Sequence, residues 1–591
     1  MEKQKRRSIW KPYWQSMLDL FEYQFVVGIL LIVILWVLRT LADLVLRSTG
    51  RVAVSSGDFM FLFTSWQGIL LILFGLTVFF VYLAFDINTK IIYAGKLIEG
   101  KPDRIRSTLK ESLLSIRAFL CPEGLLIVLY IALIAPLVGV GFSMALTRDL
   151  YIPSFITSVI ESTPLYHLAY VLVLLVFAYI GIRNLFCIHG VVIDKMSVRD
   201  SIRHSKELVR KNWKNHWKQT LLFGLNIVAM NVLLFLIFAV IMVTAAIVFI
   251  GIDVSRRFLY LFILLTGAAV FSFFNSYVFS FYMLRMTELY YRYCGKENSG
   301  LPVRTSRFHP FVWLGVVAAL IFVVIGSWGM EKNFDRIFPA DPGVLLIAHR
   351  AGGKEAPENT VAGINAAAEA GVYGSEIDIQ RTLDGYYIIN HDATFARLTG
   401  VNKKPGEMTL AEIRELEIHD PNHPDKTEKV ATFEEILDAS KDRLILFVEL
   451  KGDSADPKMV DDAVALIEEK GMTDQCVLIS LKYDLIDYAE TKYPYMQTAY
   501  LTFLTFGDTA ALNCDYLGLE EESATEDMIE RMHEQGKGVL VWTPNEEDAQ
   551  KKFLLSEADA IITDNVYQAQ ELRKQLGERS DIARIADRFF E

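Results

Sequence analysis

Long apolar runs dominate the first 330 residues of the chain. Each is about 20 residues or longer, which is the length that an α-helix needs to cross a bilayer. The pattern predicts seven membrane-spanning helices, near residues 24–47, 60–85, 124–146, 166–192, 219–251, 258–284 and 310–329. The first run follows a basic N-terminus but has no small-residue cleavage site, so we interpret it as a retained span and not as a signal peptide. Residues 1–330 are therefore predicted to form an all-α transmembrane domain.

A different pattern begins after residue 343, where short apolar runs alternate with stretches of helical periodicity. Nine runs are strand candidates, and they end near His349, Ile379, His391, Glu449, Ser480, Leu501, Leu519, Trp542 and Thr563. Helical patterns lie between most of them, at Thr360–Ala370, Thr432–Ser440, Pro457–Lys470 and Glu526–Gln535. This alternation, over about 250 residues, predicts an α/β TIM barrel.

The predicted barrel is irregular. A TIM barrel has eight strands, so at least one of the nine candidates lies outside it. Residues 382–385 join two runs by a turn that leaves no room for a helix. We place a linker at 331–341, the barrel at 342–575 and a C-terminal tail at 576–591.

Charge divides the chain at the same point. Residues 1–330 hold 32 lysines and arginines and 18 acidic residues, a net charge of +14, whereas residues 331–591 hold 27 and 52, a net charge of −25. Because nucleic-acid phosphates repel such an acidic domain, we expect no nucleic-acid partner.

Basic connections, at 86–123, 193–218 and 285–309, alternate with poorly charged ones, so the positive-inside rule predicts a cytoplasmic N-terminus. Seven crossings then place the acidic half outside the cell membrane, and this inference depends on the parity of the spans.

Two of the basic connections share a further pattern. Asp103–Leu120 and Ser197–Trp217 each predict a basic amphipathic helix just before a span, as in a weak internal repeat. Such helices either lie against anionic headgroups or serve only to fix the topology.

The five cysteines form no CxxC motif, which disfavours a zinc site. Cys476 and Cys514 either pair in an oxidising compartment or are two isolated core residues.

Three acidic residues in the barrel half form a candidate metal site. Glu376 and Asp378 are separated by one residue, so on a β-strand both carboxylates project to the same side. Glu449, at the end of a later strand candidate, completes the set. Ligation by oxygen alone favours Mg²⁺ or Ca²⁺ over zinc, and such an ion polarises a phosphate. The sequence therefore predicts a divalent cation site for phosphoryl chemistry.

Two histidines at strand ends are candidates for proton transfer. Phosphodiester cleavage needs a base for the attacking hydroxyl and an acid for the leaving oxygen, and His349 and His391 can divide these roles at neutral pH. Arg350 and Lys451 are predicted to neutralise charge that develops on the phosphate.

Two further residues are candidates for the same pocket, each with two open interpretations. Glu358 either orients Arg350 or holds a metal-bound water. Trp542 either walls the pocket or is an aromatic residue of the core.

A series of short motifs runs through the barrel half in a fixed order. The chain reads HRAGG at 349–353, PENT at 357–360, EID at 376–378, LDG at 383–385, NHD at 390–392, ELK at 449–451, WTPN at 542–545 and ITD at 562–564. In this order, from residue 344 to about 572, the motifs resemble those of the glycerophosphodiester phosphodiesterase family. The resemblance implies a phospholipase-C-like TIM barrel, dependence on a divalent metal, and hydrolysis of glycerophosphodiesters to glycerol 3-phosphate and an alcohol.

The resemblance also implies a role for each matching residue. The family's acid/base pair matches His349 and His391. Its metal ligands match Glu376, Asp378 and Glu449. Its phosphate contacts match Arg350 and Lys451. Ala351 departs from the usual glycine after His-Arg, and Pro544 stands where the family usually has valine, which bears on loop shape and substrate fit. The N-terminal half is similar in arrangement to the membrane domain fused to such enzymes in some Gram-positive bacteria.

These observations lead to one main hypothesis and several alternatives. The main hypothesis is a multi-pass membrane enzyme whose outward barrel hydrolyses a glycerophosphodiester: a deacylated head group, a lysophospholipid or a polyglycerolphosphate of the teichoic type. In the first alternative, the membrane domain is a lipid-handling or transport module that the barrel serves. Two further alternatives are a binding module without catalysis and a lyase that forms a cyclic phosphate. The sequence predicts no oligomeric state.

Overall fold

The structure is a computed structural model, and it forms two compact units. It describes residues 10–49, 53–55, 60–99, 105–127, 156–157, 159–160, 163–248, 255–296, 310–341, 343–503 and 505–590. The membrane unit comprises Met1–Thr40, Leu70–Ile152 and Ser158–Phe334, and the barrel unit comprises Leu41–Ile69, Pro153–Thr157 and Asp335–Glu591. The connection between the first two predicted spans thus belongs to the barrel unit.

Helices account for nearly all of the described chain up to Lys332. In chain order the elements are α1 (Trp10–Ser48), β1 (Ala53–Ser55), α2 (Phe61–Thr64), α3 (Trp66–Ile98), α4 (Ile105–Ser115), α5 (Pro164–Asn184), α6 (Cys187–Asp194), α7 (Val198–Lys211), α8 (Trp213–Val248), α9 (Arg256–Tyr293) and α10 (Pro310–Lys332).

Within the described residues, five helical segments are long and apolar enough to cross a membrane. They are Val27–Ser48, Trp66–Ile98, Pro164–Ile193, Trp213–Ile241 and Trp313–Lys332. They correspond to predicted spans one, two, four, five and seven. The sixth predicted span lies in α9, whose 38 residues give a helix about 57 Å long. The third, at 124–146, lies outside the described residues beyond position 127. Apolar helices of this kind make the chain a membrane protein.

The two predicted amphipathic helices, α4 and α7, have matching buried hydroxyl groups. Ser112 and Ser205 occupy the eighth position of their helices and are fully buried, and Thr108 and Ser201 are buried four positions earlier. Ser112 donates a hydrogen bond to a backbone carbonyl of α3 at 2.8 Å, and Ser205 donates one to a carbonyl of α5 at 3.0 Å. The predicted internal repeat therefore has a counterpart in how these helices pack.

Eight parallel strands close a barrel in the second part of the chain. In chain order the strands are β2 (Leu345–Ala348), β3 (Gly374–Arg381), β4 (Tyr387–Ile389), β5 (Glu417–His419), β6 (Thr427–Lys429), β7 (Ile445–Leu450), β8 (Cys476–Ser480), β9 (Gln497–Thr502), β10 (Thr505–Gly507), β11 (Tyr516–Glu520), β12 (Gly538–Trp542) and β13 (Ala560–Thr563). Around the barrel the order is β2, β3, β7, β8, β9, β11, β12, β13 and back to β2. The predicted TIM barrel is confirmed. Its irregularity is β4, which leads to His391 and pairs antiparallel with β3 outside the barrel.

Helices surround the barrel, and the longest of them alternate with its strands. They are α11 (Phe334–Ile337), α12 (Val361–Ala370), α13 (Ala396–Thr399), α14 (Leu410–Arg414), α15 (Phe433–Ser440), α16 (Pro457–Glu469), α17 (Tyr483–Lys492), α18 (Glu526–Glu534), α19 (Glu547–Leu554), α20 (Val566–Gly577) and α21 (Asp581–Phe590). One apolar cluster lies between strands and helices, and a second fills the barrel interior with residues such as Ile347, Phe447 and Ile562. The alternation of side chains along each strand produces these two layers.

The helices between the strands begin at capping residues. The side chains of Thr360, Thr432, Asp456 and Thr525 each accept a hydrogen bond from a backbone N–H in the first turn of the helix that follows. These bonds satisfy donors that have no partner inside the helix. They explain why the sequence located these four helices to within a residue or two.

The last residues, predicted as a tail, include helix α21. Ile585 is buried, and Asp587 accepts a hydrogen bond from Lys551 at 2.9 Å. Cys476 and Cys514 are buried and unpaired, as expected of isolated core residues.

Candidate active site

The predicted metal ligands meet at the carboxyl ends of β3 and β7. Register places Asp378 of β3 directly opposite Glu449 of β7, and Glu376 lies two residues earlier on the same face of β3. Oxygen atoms of the three carboxylates lie within 4.8 Å of one another, and all three residues are buried. In a TIM barrel this end of the strands carries the active site.

Repulsion and burial set the charges of this cluster. Burial and the neighbouring Asp378 charge raise the pKa of Glu376 to about 8. Burial also raises the pKa of Glu449, to about 7. Burial acts in the same direction on Asp378, but the positive charges of Lys451, His391 and Arg350 together outweigh it and hold the Asp378 pKa below its usual range. Lys451 Nζ donates hydrogen bonds to Asp378 Oδ1 at 2.8 Å and to Glu449 Oε2 at 3.2 Å.

The donor set fits a hard divalent cation. Glu376 Oε1 is buried and has no hydrogen-bond partner among the described residues. A buried carboxylate oxygen without a partner is costly unless a cation or a proton satisfies it. Oxygen ligands alone suit Mg²⁺ or Ca²⁺. Glu376, Asp378 and Glu449 therefore form a group that can hold such an ion.

His349, immediately after β2, is oriented by an aspartate from the last strand. Its Nδ1 lies 2.7 Å from Asp564 Oδ1, and its Nε2 lies 3.9 Å from Glu376 Oε2. Asn545 fixes Asp564 by donating a hydrogen bond of 2.6 Å to Oδ2. Burial opposes protonation of His349, but the Asp564 and Glu376 charges outweigh it and raise the imidazole pKa.

His391 has a similar partner and the opposite electrostatic balance. Its Nδ1 lies 2.9 Å from Asp392 Oδ1, and Arg397 Nε donates a hydrogen bond to Asp392 Oδ2 at 2.7 Å. Here burial prevails over Asp392 and lowers the pKa of His391. Since a carboxylate engages Nδ1 of both histidines, Nε2 is the nitrogen available for proton transfer.

Glu358 lies between two arginines. Arg350 Nη1 is 3.2 Å from Glu358 Oε2, while Arg397 contacts the two Glu358 oxygens at 2.9 and 2.5 Å. The backbone N–H of Glu358 donates to Asp420 Oδ2 at 3.0 Å. Glu358 thus contacts Arg350, as the orienting interpretation requires, and Arg397 links this group to the Asp392 partner of His391.

Both departures from the family motifs lie in the loops that shape the site. Ala351 has φ +74°, a conformation that costs a residue with a Cβ about 1 kcal/mol relative to glycine. Its N–H donates to the backbone carbonyl of Glu376 at 2.6 Å, which holds the loop against β3. The Pro544 carbonyl accepts a hydrogen bond from Thr563 Oγ1 at 2.9 Å, so the loop that carries Asn545 is anchored to the last strand.

Trp542 ends β12 and is partly buried. Its side chain packs against the apolar cluster inside the barrel, and its ring N–H donates to the Gly518 carbonyl at 3.1 Å. The ring thus belongs to the barrel interior, and its role as a wall of the pocket stays a prediction.

The structure brings together eight predicted site residues: His349, Arg350, Glu358, Glu376, Asp378, His391, Glu449 and Lys451. It adds four that the sequence did not assign to the site. Asp564, Asn545 and Arg397 orient the groups described above, and Asn359 donates a hydrogen bond to Asp378 Oδ2 at 2.8 Å. A signal for Asp564 existed in the sequence. The first and last strands of a closed barrel are neighbours, so a polar residue that ends the last strand must lie beside His349.

Removal of the Asp564 charge should change both rate and pH dependence. Asp564→Asn keeps the shape of the side chain but no longer stabilises the imidazolium, so the His349 pKa should fall. We expect kcat/KM to decrease about 10²–10⁴-fold and the ionisation assigned to His349 to move to lower pH. The measurement is the pH profile of kcat/KM, with the exposed Asp474→Asn as the control. An unshifted profile would contradict the orienting role.

A TIM barrel with a buried cluster of carboxylates and two histidines that contact aspartates is an arrangement suited to phosphodiester hydrolysis. Residues 349–568 match the glycerophosphoryl diester phosphodiesterase family, and residues 9–327 match the membrane domain of glycerophosphoryl diester phosphodiesterase. The chain belongs to this family and is a membrane-anchored glycerophosphodiester phosphodiesterase.

Individual relatives cover mainly the barrel. The glycerophosphodiester phosphodiesterase of Caldanaerobacter subterraneus is 25% identical over 228 residues, which are 37% of this chain and 94% of the relative. Human glycerophosphodiester phosphodiesterase 1 is 36% identical over 113 residues, 18% of this chain and 34% of the relative. Among solved structures, an Oleispira antarctica phosphodiesterase in complex with the product sn-glycerol-3-phosphate is 22% identical, with a TM-score of 0.37, and the match covers 39% of this chain and 96% of that one.

Proposed function

We propose that the barrel hydrolyses a glycerophosphodiester with His349 and His391 as its acid/base pair. The observation that carries the proposal is the buried triad of carboxylates beside two histidines, each with Nδ1 engaged by an aspartate. The raised pKa of His349 favours the protonated form and the role of general acid, and the lowered pKa of His391 favours the neutral form and the role of general base.

The other groups hold the phosphate and a cation. Glu376, Asp378 and Glu449 would hold Mg²⁺ or Ca²⁺, and the bound ion supplies Lewis-acid polarisation of a phosphate oxygen. Arg350, fixed by Glu358, and Lys451 would bind the remaining phosphate charge. Both cations are partly buried, where hydrogen bonds to a phosphate are stronger than in water.

The reaction has a direct test. Purified full-length protein should release glycerol 3-phosphate from glycerophosphoethanolamine, lose this activity in EDTA and regain it with Mg²⁺ or Ca²⁺. A panel with a lysophospholipid and a polyglycerolphosphate oligomer would identify the preferred lipid-derived substrate. A stable cyclic phosphate would favour the lyase alternative, and the absence of product from every diester would overturn the proposal.

We also propose that the barrel lies outside the cell membrane. The charge alternation of the connections supports this, because the poorly charged segment between the first two spans should be extracytoplasmic. The strand β1 of that segment pairs with β10 of the barrel unit, so both should lie on one side of the bilayer.

We expect Glu369→Cys, on an exposed site of α12, to react with a membrane-impermeant maleimide in intact cells. Arg203→Cys, on the exposed face of α7, should react only after permeabilisation. The reverse pattern would contradict the orientation.

A second function of the membrane unit is favoured by a buried polar group. Asp86 of α3 accepts hydrogen bonds from Tyr23 of α1 at 2.8 Å and from Lys90 at 2.5 Å, and all three residues are buried. Ionisable groups buried in membrane proteins are costly and often functional. We propose lipid handling or transport as this second function. Lipid scrambling in proteoliposomes that persists in a catalytically inactive variant and is lost in Asp86→Asn would support it, and no flux under any condition would exclude it.

A further inference from the structure

A strand from the segment between the first two membrane helices is added to the barrel unit. Strand β1 pairs antiparallel with β10, in the register Ala53 to Gly507, Val54 to Phe506 and Ser55 to Thr505. Among the described residues these two strands form a sheet of their own. Without β1 the backbone groups of β10 along this edge would lack strand partners.

Side chains next to the paired strands also join the segment to the barrel. Ala53 is 7% exposed and belongs to the apolar cluster that lies between the barrel strands and their helices. Arg47, at the end of α1, forms an ion pair of 3.5 Å with Asp508, which directly follows β10. This ion pair is exposed and contributes orientation more than stability. The pairing is therefore supported by backbone bonds, a buried contact and complementary charge.

The position of β10 places this addition at the mouth of the active site. β10 follows β9 after two residues, so it lies at the carboxyl end of the barrel, where the catalytic groups are. In the strand order, β9 is four positions from β2 in either direction, which puts it diametrically across the barrel from His349. The metal ligands lie on β3 and β7, in the half of the barrel that holds β2. The added strand therefore extends the opposite half of the rim.

We propose that β1 is a specificity-determining part of the active-site rim, which the membrane-anchored segment supplies to the barrel. This inference rests on the proposed hydrolysis of a glycerophosphodiester. The phosphate must lie near the triad and the two histidines, so the ester substituent that extends away from them approaches the rim that β1 builds. β1 should then discriminate between diesters by the size of their alcohol group, and it should have little effect on the contacts to phosphate.

The pairing itself can be tested with engineered disulfides in the full-length protein. Residues directly opposite in an antiparallel pair project to the same face, whereas a shift of one residue places the side chains on opposite faces. Ala53→Cys with Gly507→Cys should cross-link under mild oxidation, and Ala53→Cys with Phe506→Cys should not. Equal cross-linking of the two pairs, or none in the first, would overturn the pairing.

The functional role is tested by breaking the strand and comparing two substrates. Val54→Pro/Ser55→Pro breaks the pairing, because alternate N–H groups of a strand face its partner, so one of the two prolines removes a donor to β10. Val54→Thr/Ser55→Thr keeps β-branched residues at both positions as the matched control. The substrates are glycerophosphoethanolamine, with a small alcohol, and glycerophosphoinositol, with a bulky one. We expect the ratio of their kcat/KM values to change about tenfold in the proline variant and to stay within about twofold in the threonine variant.

Each result has a distinct meaning. An equal loss for both substrates in the proline variant, or no change in the ratio, would overturn a role in specificity. No turnover of either substrate by the unmodified protein would instead overturn the proposed hydrolysis, and the cross-linking result would still report on the strand pairing.

Discussion

Replacement of His349 or His391 by alanine is expected to lower kcat/KM about 10²–10⁴-fold, which is the usual contribution of a positioned general acid or base. The two variants should differ in their dependence on the leaving group. An alcohol must be protonated as it leaves, whereas p-nitrophenolate leaves without a proton. His349→Ala should therefore lose much less activity on a p-nitrophenyl phosphodiester than on glycerophosphoethanolamine. His391→Ala should lose similar activity on both, because both need the base.

The physical reason for this difference is the environment of each histidine. Asp564 and Glu376 stabilise a protonated His349, while burial keeps His391 neutral in spite of Asp392. His533→Ala is a suitable control, because His533 contacts Asp559 at the opposite end of the barrel strands. If only His391→Ala lost less activity on the p-nitrophenyl diester than on glycerophosphoethanolamine, His391 would be the general acid and His349 the general base. Full activity in either variant would remove that histidine from the mechanism.

Glu376→Gln is expected to abolish activity and at the same time to stabilise the metal-free protein. Glu376 has a folded-state pKa of about 8, above its usual value, because it is buried beside Asp378. A carboxyl group with a raised pKa adds to stability below its unfolded pKa, and this contribution is lost as pH rises through the folded pKa. The ion-free native protein should thus lose stability between about pH 4 and pH 8. The uncharged amide of the glutamine is not repelled by Asp378. The loss of stability between pH 4 and pH 8 should therefore be smaller in the variant.

Thermal unfolding of the full-length protein in EDTA, with and without added Mg²⁺ or Ca²⁺, measures both effects. Without metal, the melting temperature of the variant at pH 8 should exceed that of the unmodified protein, by about 2–4 °C for each kcal/mol of repulsion removed. Added metal should raise the melting temperature of the unmodified protein and have little effect on the variant. Glu369→Gln, an exposed substitution on α12, should behave as the unmodified protein. Equal stabilisation of all three proteins by metal would contradict the assignment of Glu376 as a ligand.

The two proposals on the barrel and its added strand bear on how this enzyme selects substrates. The groups proposed to bind phosphate, Arg350 and Lys451, follow β2 and β7, and the carboxylates proposed to hold the cation lie on β3 and β7. In the second proposal, the rim across the mouth includes β1, which comes from the segment between two membrane helices and pairs with β10. On these two proposals, the choice of alcohol would change with β1 and would need no change near His349 or Glu376.

Several features of the protein followed from the sequence because they depend on neighbours in the chain. Apolar runs of bilayer length identified the membrane helices, and short apolar runs between capped helices identified the barrel strands. The spacing of Glu376 and Asp378 placed both carboxylates on one face, since side chains alternate along a strand. Local rules of this kind need no knowledge of the final fold.

Other features were decided only by tertiary structure, because they join residues that are far apart in the chain. Asp564 reaches His349 because the last strand of a closed barrel pairs with the first. Arg397 meets Glu358 only once the segment after β4 has folded against the loop after β2. β1 meets β10 across more than 400 residues, and three residues of a connecting segment carry no periodic signal. The sequence thus determined the elements and the reactive groups, and the closure of the barrel determined which of them act together.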